Sequence, residues 1–474
     1  MDISLLLPEI VLVLFGIGVL VLGMFSPRSP LLPSLALFGV GIASGYISLY
    51  QSTGSTLGGM IVVDEFAMAF KFIMLFSTGM VALASMNYSR HFADFQAEYY
   101  ALLLFACTGM MLLASAAEWI TIYVALELTG VAIYSLSGML KNRESSEAGL
   151  KFLLIGALSS AVLLYGIVFI FGLTGSTFLS DTGPMLMLGF AQNRIPVIVA
   201  TVLLIAGFGF KIAAFPFQMW VPDVYQGAPT TVTAFLSVAS KSAGIAVALR
   251  VFHTSFGQAP LSVDWITIFA ILSAFSMVIG NVVAIQQTNI KRMMGYSSIA
   301  QAGFLLVGMA VLPQMGPGAV LFYMLSYAVT NLGAFFCIIA LSEELGSDRI
   351  DDFAGAWQRS PWLAGAFAFC LLSLTGLPPT AGFFAKLFIF NAGLQQGLTW
   401  LVIIGVVNTA ISAYYYIGIV KTMFLRTPAS STPISVPLPL GAAVSITTMF
   451  TFLLFVFAGP VLTVAIAAAG SIAP

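Results

Sequence analysis

Fourteen apolar runs, each long enough to cross a lipid bilayer, take up most of this chain of 474 residues. A spanning helix needs about 20 apolar residues to match the hydrocarbon thickness of a bilayer. The composition agrees, because only 7% of the residues are charged, against about 25% in an average soluble domain. We therefore predict an all-α polytopic membrane protein with about fourteen transmembrane helices. The predicted spans are approximately 4–24, 31–50, 66–86, 98–115, 119–139, 148–172, 195–221, 228–253, 264–286, 291–312, 316–342, 361–395, 399–424 and 435–459.

The distribution of basic residues predicts the orientation, since loops rich in Lys and Arg stay in the cytoplasm. Arg194 and Arg250 fall on one side of the predicted membrane, and ten basic residues fall on the other. We expect these ten to mark the cytoplasm, with both termini on the outer, periplasmic side of a bacterial-type inner membrane. The ten are Arg28, Arg90, Lys141, Arg143, Lys291, Arg292, Arg349, Arg359, Lys421 and Arg426.

The first apolar run is predicted to be the first span rather than a cleavable signal peptide. It has no basic segment in front of it and begins with the acidic residues Asp2 and Glu9, whereas a signal peptide starts with a positively charged region.

Several classes of function are disfavoured by the residue types present. The net charge is −1, and no cluster of basic and aromatic residues indicates a nucleic-acid partner. The three cysteines form no CxxC pair or metal spacing, and two histidines alone cannot build a metal site. No glycine-rich loop opens a helix in a nucleotide-binding setting. We predict no metal site and no redox cofactor in this chain.

Four charged residues lie deep within apolar runs: Glu127, Lys211, Lys241 and Lys386. Each charge at such a depth costs roughly 2.5–3.5 kcal/mol on insertion scales, and such residues usually mark ion or proton pathways. The pattern therefore predicts a path for protons or cations. Static ion pairs, a polar link between helices, or snorkelling of a lysine to the interface are the structural alternatives.

Two of the spans are predicted to be broken helices. Pro216 follows Lys211 by five residues, and Pro378 and Pro379 precede Lys386. Proline removes a backbone donor and kinks a helix, and interrupted helices at matching positions of two halves indicate a transporter site. Proline kinks without a function are also common in membrane helices.

The two breaks lie five spans apart, so a unit of spans 4–8 repeated as spans 9–13 must be inverted in the membrane. We expect Lys386 to be the counterpart of Lys211 in the second unit. The predicted division is 1–95 (three accessory helices), 96–254 (first five-helix repeat), 255–427 (second, inverted repeat) and 428–474 (the last helix).

The charged residues have distinct expected roles. Burial favours the neutral form of a carboxyl or amine, and a partner of opposite charge favours the charged form. A pair balanced between the two effects exchanges protons readily, and we expect Glu127 to pair with Lys211. Lys151 follows Glu147 by four residues, a spacing that is also common in surface helix pairs. His253 could relay protons to the outer side, or it could be an ordinary interfacial histidine.

Three segments resemble the antiporter-like subunits of respiratory complex I, the proton-pumping NADH–quinone oxidoreductase. They are VPDVYQGAPTTVTAFLSVASKSAG at 221–244, KRMMGYSSIAQAGF at 291–304 and LPPTAGFFAKLFIF at 377–390. The resemblance extends over nearly the whole chain. Lys386, where the M type typically has glutamate, and the short segment after the last span favour the N type over the M and L types. The family is related to multisubunit sodium/proton antiporters.

The resemblance implies two inverted five-helix repeats with broken seventh and twelfth helices. It maps the family's proton-carrying residues onto Glu127, Lys211, Lys241 and Lys386, and a further lysine of some N-type relatives onto Lys151. Gln301 departs from the histidine of several relatives. Glutamine does not titrate, so a relay there would have to use water or a neighbouring group.

The resemblance also implies that NADH oxidation, FMN, iron–sulfur clusters and quinone reduction belong to partner subunits of a hetero-oligomeric membrane arm. In this hypothesis protons reach Lys211 and Lys241 from the cytoplasm, pass to Lys386 and leave outside, while Glu127 controls the charge on Lys211. The alternatives are a sodium/proton antiporter subunit, a subunit of a hydrogenase or ferredoxin-driven ion pump, and a scaffold without transport. A scaffold would not need the buried charges.

Overall fold

The computed structural model describes residues 2–258, 261–312, 315–428, 430 and 432–472, and it is almost entirely helical. Within these residues, 12 helices are long and apolar enough to cross a membrane, so the prediction of an all-α polytopic membrane protein is confirmed. The predicted number of about fourteen spans is not reached by this criterion, although two shorter apolar helices, Pro361–Thr375 and Ala458–Gly470, accompany the twelve.

The first half of the chain contains two short strands and eleven helices among the described residues. They are α1 (Leu7–Phe25), α2 (Leu31–Leu49), β1 (Gly54–Thr56), β2 (Ile61–Val63), α3 (Glu65–Tyr88), α4 (Gln96–Ser115), α5 (Trp119–Ser137), α6 (Arg143–Thr174), α7 (Leu179–Gln192), α8 (Arg194–Ile212), α9 (Val221–Gly227), α10 (Thr230–Phe235) and α11 (Lys241–Ser255). A π-helical turn, Leu236–Ser240, joins α10 to α11.

The second half is helical throughout its described elements. They are α12 (Leu261–Ile285), α13 (Ile290–Met309), α14 (Gly316–Leu345), α15 (Ala356–Arg359), α16 (Pro361–Thr375), α17 (Ala381–Gln395), α18 (Thr399–Leu425), α19 (Leu438–Val456) and α20 (Ala458–Gly470). Short 3-10 turns lie at Ile3–Leu6, Leu57–Gly59, Ser89–Phe95 and Ile350–Phe353.

Side-chain caps show why several helices begin where they do. Asp64 accepts a hydrogen bond from Ala67 N at 2.7 Å at the start of α3, and Asn142 accepts one from Ser145 N at 2.8 Å at the start of α6. Such caps satisfy backbone donors that have no partner within the helix. Gly175 and Gly346 end α6 and α14 in the left-handed conformation, which glycine adopts without a steric penalty.

Three elements differ from the sequence prediction. Residues 179–192, expected to be loop, form α7, which packs on α8 and α11; at 14 residues it is too short to register as a span. Residues 54–63 form an antiparallel hairpin with Ser55 opposite Val62, and strands of three residues are too short to show alternation. The predicted last helix is two helices, α19 and α20, separated at Phe457.

The centre of the molecule is a continuous buried helix formed by α10, the π turn and α11. Residues 230–253 are all buried, and this helix packs against α3, α4, α8 and α14. Helix α14 is almost as deeply buried and contacts α13, α16, α17 and α19. The two central helices therefore join the first half of the chain to the second.

Two buried ion pairs fasten α1 and α11 to α3. Lys71 Nζ lies 2.7 Å from Glu9 Oε1, and Arg250 contacts both carboxylate oxygens of Asp64, at 2.8 and 2.9 Å. Removing one partner of such a pair leaves an uncompensated charge, typically at a cost of about 3–5 kcal/mol. A lysine near a helix end would suggest an anchor exposed at the membrane–water interface. Lys71 is instead 0% exposed and buried inside the protein. The apolar sequence around Glu9 gives no sign of its partner on another helix.

Both predicted helix breaks are present. Helix α8 ends at Ile212; the next residue, Ala213, has a φ of 64°, and the chain continues irregularly to α9 at Val221. Helix α16 ends at Thr375; the next residue, Gly376, has a φ of 91°, and α17 begins at Ala381. The indole of Trp220 occupies the first break, where it donates a hydrogen bond to Phe210 O at 3.2 Å.

Replacement of Gly382 by alanine tests the packing of the second break. A Cβ there would lie 1.8 Å from Ser373 O, a backbone atom of α16, so α17 would have to move. Overpacking of this kind typically costs about 1–3 kcal/mol. We expect G382A to lower the unfolding temperature of the detergent-solubilised protein, measured by intrinsic fluorescence.

Gly45→Ala is the matched control, because nothing lies within 4 Å of its added Cβ. Its unfolding temperature should equal or exceed that of the wild type, since alanine is the better helix former. Equal unfolding temperatures for G382A and G45A would show that α17 is not packed as described.

Candidate functional site

Lys241 is the centre of a buried polar cluster. It is the first residue of α11, directly after the π turn, and π turns occur frequently at functional sites. Its Nζ donates hydrogen bonds to both the backbone O and the Oγ of Ser298 on α13, each at 2.6 Å. No carboxylate forms an ion pair with Lys241 within the described residues. The ammonium is thus held by neutral oxygen atoms alone.

Two tyrosine hydroxyls complete this cluster. Tyr225 from α9 and Tyr327 from α14 each place a hydroxyl 3.2 Å from Ser298 Oγ. One turn further along α14, Asn331 Nδ2 donates to Ser237 Oγ in the π turn at 2.7 Å. A hydroxyl both donates and accepts hydrogen bonds, so this cluster can rearrange without losing its partners.

Helix α14 carries three polar side chains toward the site at a spacing of four residues: Tyr323, Tyr327 and Asn331. Residues four apart lie on the same face of a helix. The two tyrosines were not predicted as site residues from the sequence. Their spacing from Asn331 in an otherwise apolar helix was the available signal.

Gln301 connects the Lys241 cluster to the second helix break. It lies three residues after Ser298 on the same face of α13, and its Nε2 donates to Leu374 O at 3.0 Å. Tyr323 donates a hydrogen bond to Gln301 Oε1. Leu374 is next to the last residue of α16, so Gln301 satisfies a carbonyl that the helix end leaves without an intrahelical partner.

Lys386 binds the adjacent carbonyl of the same helix end. Its Nζ donates to Thr375 O at 2.8 Å and lies 4.2 Å from the centroid of the Phe304 ring on α13. The C-terminal end of a helix carries partial negative charge that favours a cation, and an aromatic face adds a further attraction. The side chain is 5% exposed, and the described residues provide no carboxylate for it.

Lys211 packs beside Gly244 of α11, three residues after Lys241. It is in the last turn of α8, and a Cβ on Gly244 of α11 would lie 3.1 Å from Lys211 Cβ. Its Nζ is 5.5 Å from the centroid of the Tyr134 ring and has no hydrogen-bond partner in the described part of the chain.

The expected ion pair between Glu127 and Lys211 is wrong. No ion pair within 4.0 Å joins them, although they remain close enough for an electrostatic interaction. Glu127 is half-buried on α5, its Oε1 is buried without a hydrogen-bond partner, and its neighbours Val124 and Val131 are 59% and 60% exposed. Glu127 therefore lies at the boundary between the buried and the exposed faces of α5. The periodicity of the sequence did not reveal this position.

Lys211 and Lys386 lie on opposite sides of their helix breaks. Lys211 precedes its helix break, within α8, whereas Lys386 follows its break, within α17. Both ammonium groups nevertheless lie near the C-terminal end of a half-helix, α8 for Lys211 and α16 for Lys386. The helix dipole favours a cation at both places.

Lys151 is part of a charged hub that joins α6, α9 and α13. It forms the predicted pair with Glu147 at 2.8 Å and a second pair with Asp223 at 2.8 Å. Arg292 contacts the other carboxylate oxygen of Asp223 at 2.7 Å. Partial burial raises the pKa of Asp223, but the hydrogen bonds from Lys151 and Arg292 outweigh this effect and hold the pKa below its ordinary value. Asp223 and Arg292 were not identified as site residues from the sequence.

His253 lies apart from these clusters, near the end of α11. It is buried, its ring packs edge-on against Trp265 at 5.6 Å, and neither ring nitrogen has a hydrogen-bond partner among the described residues. The three cysteines are buried and free. In the same described part of the chain, no group of three or more His, Cys, Asp or Glu residues is arranged to hold a metal ion.

The hub predicts a pH-dependent contribution to stability. The pKa of folded Asp223 is below its ordinary value, so its ion pairs stabilise the fold above about pH 4 and are lost as the pH falls through the folded pKa. We expect D223N to unfold at a lower temperature than the wild type at pH 7, and the difference to shrink below about pH 4. Asp181→Asn, at an exposed residue that contacts only serines, should show no such trend. A difference for D223N that is independent of pH would contradict the assignment.

Comparison with known proteins places the chain among bioenergetic membrane subunits. Residues 116–412 match the family described as NADH:quinone oxidoreductase/Mrp antiporter, TM. The chain is 42% identical to the NADH-quinone oxidoreductase subunit N of Dehalococcoides mccartyi over 94% of each chain. It is 31% identical to a chain of respiratory complex I from Thermus thermophilus, with a TM-score of 0.82 and coverage of 96% and 98%. A chain of the Mrp complex from Dietzia sp., 20% identical, has the same fold, with a TM-score of 0.87 and coverage of 100% and 98%. The chain belongs to the NADH-quinone oxidoreductase subunit N family.

Proposed function

We propose that this chain is a proton-translocating membrane-arm subunit of an NADH–quinone oxidoreductase. In this proposal, partner subunits oxidise NADH and reduce quinone, and this chain moves protons across the membrane. The proposal rests on the family and on one structural observation, the series of buried polar side chains, Ser298 and Gln301, that lies between Lys241 and Lys386. A protein that only anchors its partners would not need cations at this depth.

The proposed proton path runs from Lys241 to Lys386. Lys241 donates a hydrogen bond to Ser298, and Gln301 lies one turn further along α13. Gln301 and Lys386 then donate hydrogen bonds to neighbouring carbonyls of α16. Lysine can carry a proton when burial and its partners keep its two forms close in free energy. Gln301 cannot titrate, so a proton would pass this point through water or the hydroxyls of Ser298 and Tyr323.

Glu127 would act at a distance rather than through a fixed bond. Its carboxylate favours the charged form of Lys211, and removal of that influence favours the neutral form. Because Glu127 lies at the edge of the exposed strip formed by Val124 and Val131, a neighbouring subunit could change its charge or position. Lys211 would then pass its proton toward Lys241, which lies three residues before Gly244, the α11 residue beside Lys211.

Proton uptake from the side rich in basic residues is proposed to involve the Lys151 hub. Asp223 and Tyr225 are two residues apart on α9, and Tyr225 contacts the Ser298 that binds Lys241. If the basic residues mark the cytoplasm, this hub lies on the uptake side and both termini lie outside. His253 is proposed, at most, as an auxiliary relay toward the outer side.

The division of the chain into two inverted repeats, 96–254 and 255–427, remains part of the proposal, with 1–95 and 428–474 flanking them. Residues 429, 431 and 473–474 of the last segment, residues 259–260 and 313–314 of the second repeat, and residue 1 lie outside the described residues. The two breaks, each beside a lysine and a half-helix end, support this division. Because the two lysines lie on opposite sides of their breaks, the proposed symmetry does not extend to their exact positions.

The partners supply the energy in this proposal. Moving one charge against 100 mV requires about 2.3 kcal/mol. FMN, iron–sulfur clusters, NADH and quinone would be bound by those partners. The relatives are named as subunits of NADH-quinone oxidoreductase, and that naming supports a hetero-oligomeric membrane arm here.

The family description also includes Mrp antiporters, so a sodium/proton antiporter subunit is the second candidate. Vesicles containing the assembled complex distinguish the two. Acidification that depends on NADH and is unchanged by sodium supports the oxidoreductase. Sodium-dependent proton movement without NADH supports the antiporter.

Glu127→Gln tests the proposed influence of Glu127 on Lys211. The substitution removes the charge and preserves the shape, so we expect NADH-driven proton pumping in vesicles and coupled turnover to fall several-fold while the complex still assembles. Glu98→Gln, at an exposed residue in the first turn of α4, is the control and should pump normally. Full pumping by assembled E127Q would refute the coupling role.

Lys386→Met tests the distal end of the path. Methionine retains most of the apolar volume of lysine but cannot carry a proton or donate a hydrogen bond to Thr375 O. We therefore expect proton pumping to fall more than the rate of NADH oxidation, which takes place in partner subunits. Arg143→Met, at an exposed position at the start of α6, should leave pumping intact. Proton-to-electron ratios measured on the two variants separate a transport defect from a general loss of turnover, and an unchanged ratio in K386M would count against the path.

A further inference from the structure

A large cleft separates α12 from α18 at the membrane side rich in basic residues. Its volume is about 690 Å³. Small residues on its walls, among them Ala284, Ala410 and Ala413, leave the space open. Its outer edge lies on the surface of the chain, because Tyr414 is 71% exposed and Ile417 is 45% exposed.

The separation of the two helices is fixed by a buried polar clamp. Tyr415 on α18 donates to Asn281 Oδ1 on α12 at 2.9 Å, and Asn281 Nδ2 donates to Asn408 Oδ1 on α18 at 3.2 Å. Buried amides that lost these partners would pay a desolvation penalty of about 1–3 kcal/mol each. The helices are thus held at this separation.

Two cations of α18 and its C-terminal end, Lys421 and Arg426, stand at the polar end of the cleft. None of the described residues forms a hydrogen bond or ion pair with the exposed Lys421 Nζ. Arg426 shares Asp351 with Arg349, at 2.7 and 3.9 Å. Even with the neighbouring Asp352 included, the three cations outnumber the two carboxylates.

We propose that this cleft binds an anionic glycerophospholipid. The phosphodiester would lie beside Lys421 and the free guanidinium donors of Arg426, and an acyl chain would follow the apolar wall formed by Ile285 and Ile417 into the bilayer. Basic pockets between transmembrane helices bind acidic head groups in this way. This inference does not depend on the proposed proton path.

The other lipid-facing cavities of the described structure provide a useful contrast. A groove of about 390 Å³ between α3, α14, α19 and α20 is lined by apolar residues such as Phe72, Phe76 and Phe450. A second cavity, of about 320 Å³ beside the first helix break, has no charged side chain on its walls. These cavities can accommodate an acyl chain but offer no cation to select a head group. The cleft between α12 and α18 combines both features.

The test uses the full-length chain, purified in neutral detergent and delipidated. Native mass spectrometry counts bound lipid during titration with phosphatidylglycerol or with zwitterionic phosphatidylcholine. We expect the wild type to prefer phosphatidylglycerol. Because a lysine near an anionic surface contributes about 1 kcal/mol, K421A should weaken the tightest phosphatidylglycerol site by about fivefold, and K421E should weaken it further.

Two further variants separate the head-group site from the apolar cleft. Ala413→Phe narrows the cleft without changing charge and should displace the same lipid. Arg90→Ala removes an exposed cation far along the chain, on the 3-10 turn after α3, and should leave the lipid count unchanged. Equal affinity for the two lipids, or equal phosphatidylglycerol binding by wild type, K421E and A413F, would overturn the proposal.

Discussion

The central physical constraint on this structure is that lysine side chains are buried in an apolar interior with no carboxylate to pair with them. Lys386 donates to the terminal carbonyl of α16, and Lys241 donates to the backbone and side-chain oxygens of one serine. These acceptors are dipoles without a net charge, so they stabilise the ammonium but do not need a positive charge beside them. A neutral amine can donate hydrogen bonds to the same oxygens. A carboxylate at hydrogen-bond distance would favour the charged form much more strongly. Dipolar acceptors are therefore suited to a residue that gains and loses a proton.

A helix break supplies the acceptor of Lys386. Within a regular helix most carbonyls accept intrahelical hydrogen bonds, and those of the last turn are left free. The break after Thr375 places two free carbonyls in the interior, where Gln301 and Lys386 bind them. Lys241 instead binds the oxygens of Ser298 within α13, and the π turn before it contributes the side chain of Ser237, which accepts from Asn331. The helix break thus creates a polar site deep in the protein while most of the surrounding surface stays apolar.

The candidate site residues could be predicted from the sequence more accurately than the contacts that they make. The apolar runs identified a helical membrane protein, and charged residues inside those runs stood out because of their cost. Prolines identified both breaks, since proline acts locally. Contacts between helices depend on rotation and tilt, which hydropathy does not record. For that reason the Glu127–Lys211 pair was expected wrongly, the partner of Lys71 was missed, and Asp223 and Tyr327 were not recognised. Short elements such as α7 and the hairpin fall below the length at which periodicity is informative.

The absence of a direct Glu127–Lys211 bond gives the proposed mechanism a physical basis. A fixed buried ion pair would keep Lys211 charged in every state, and breaking it would cost several kcal/mol. At a longer distance the carboxylate still biases the lysine, but the bias is small enough for a neighbouring subunit to reverse. Glu127 lies beside exposed Val124 and Val131, where such a neighbour could reach it, and Lys211 has no competing hydrogen bond in the described structure. In the proposed mechanism, the charge of Lys211 then responds to an event outside the chain and influences Lys241, which lies three residues before Gly244, the α11 residue beside Lys211. Weak coupling at this position is what transmission between subunits requires, because an interaction that cannot be reversed cannot carry a signal.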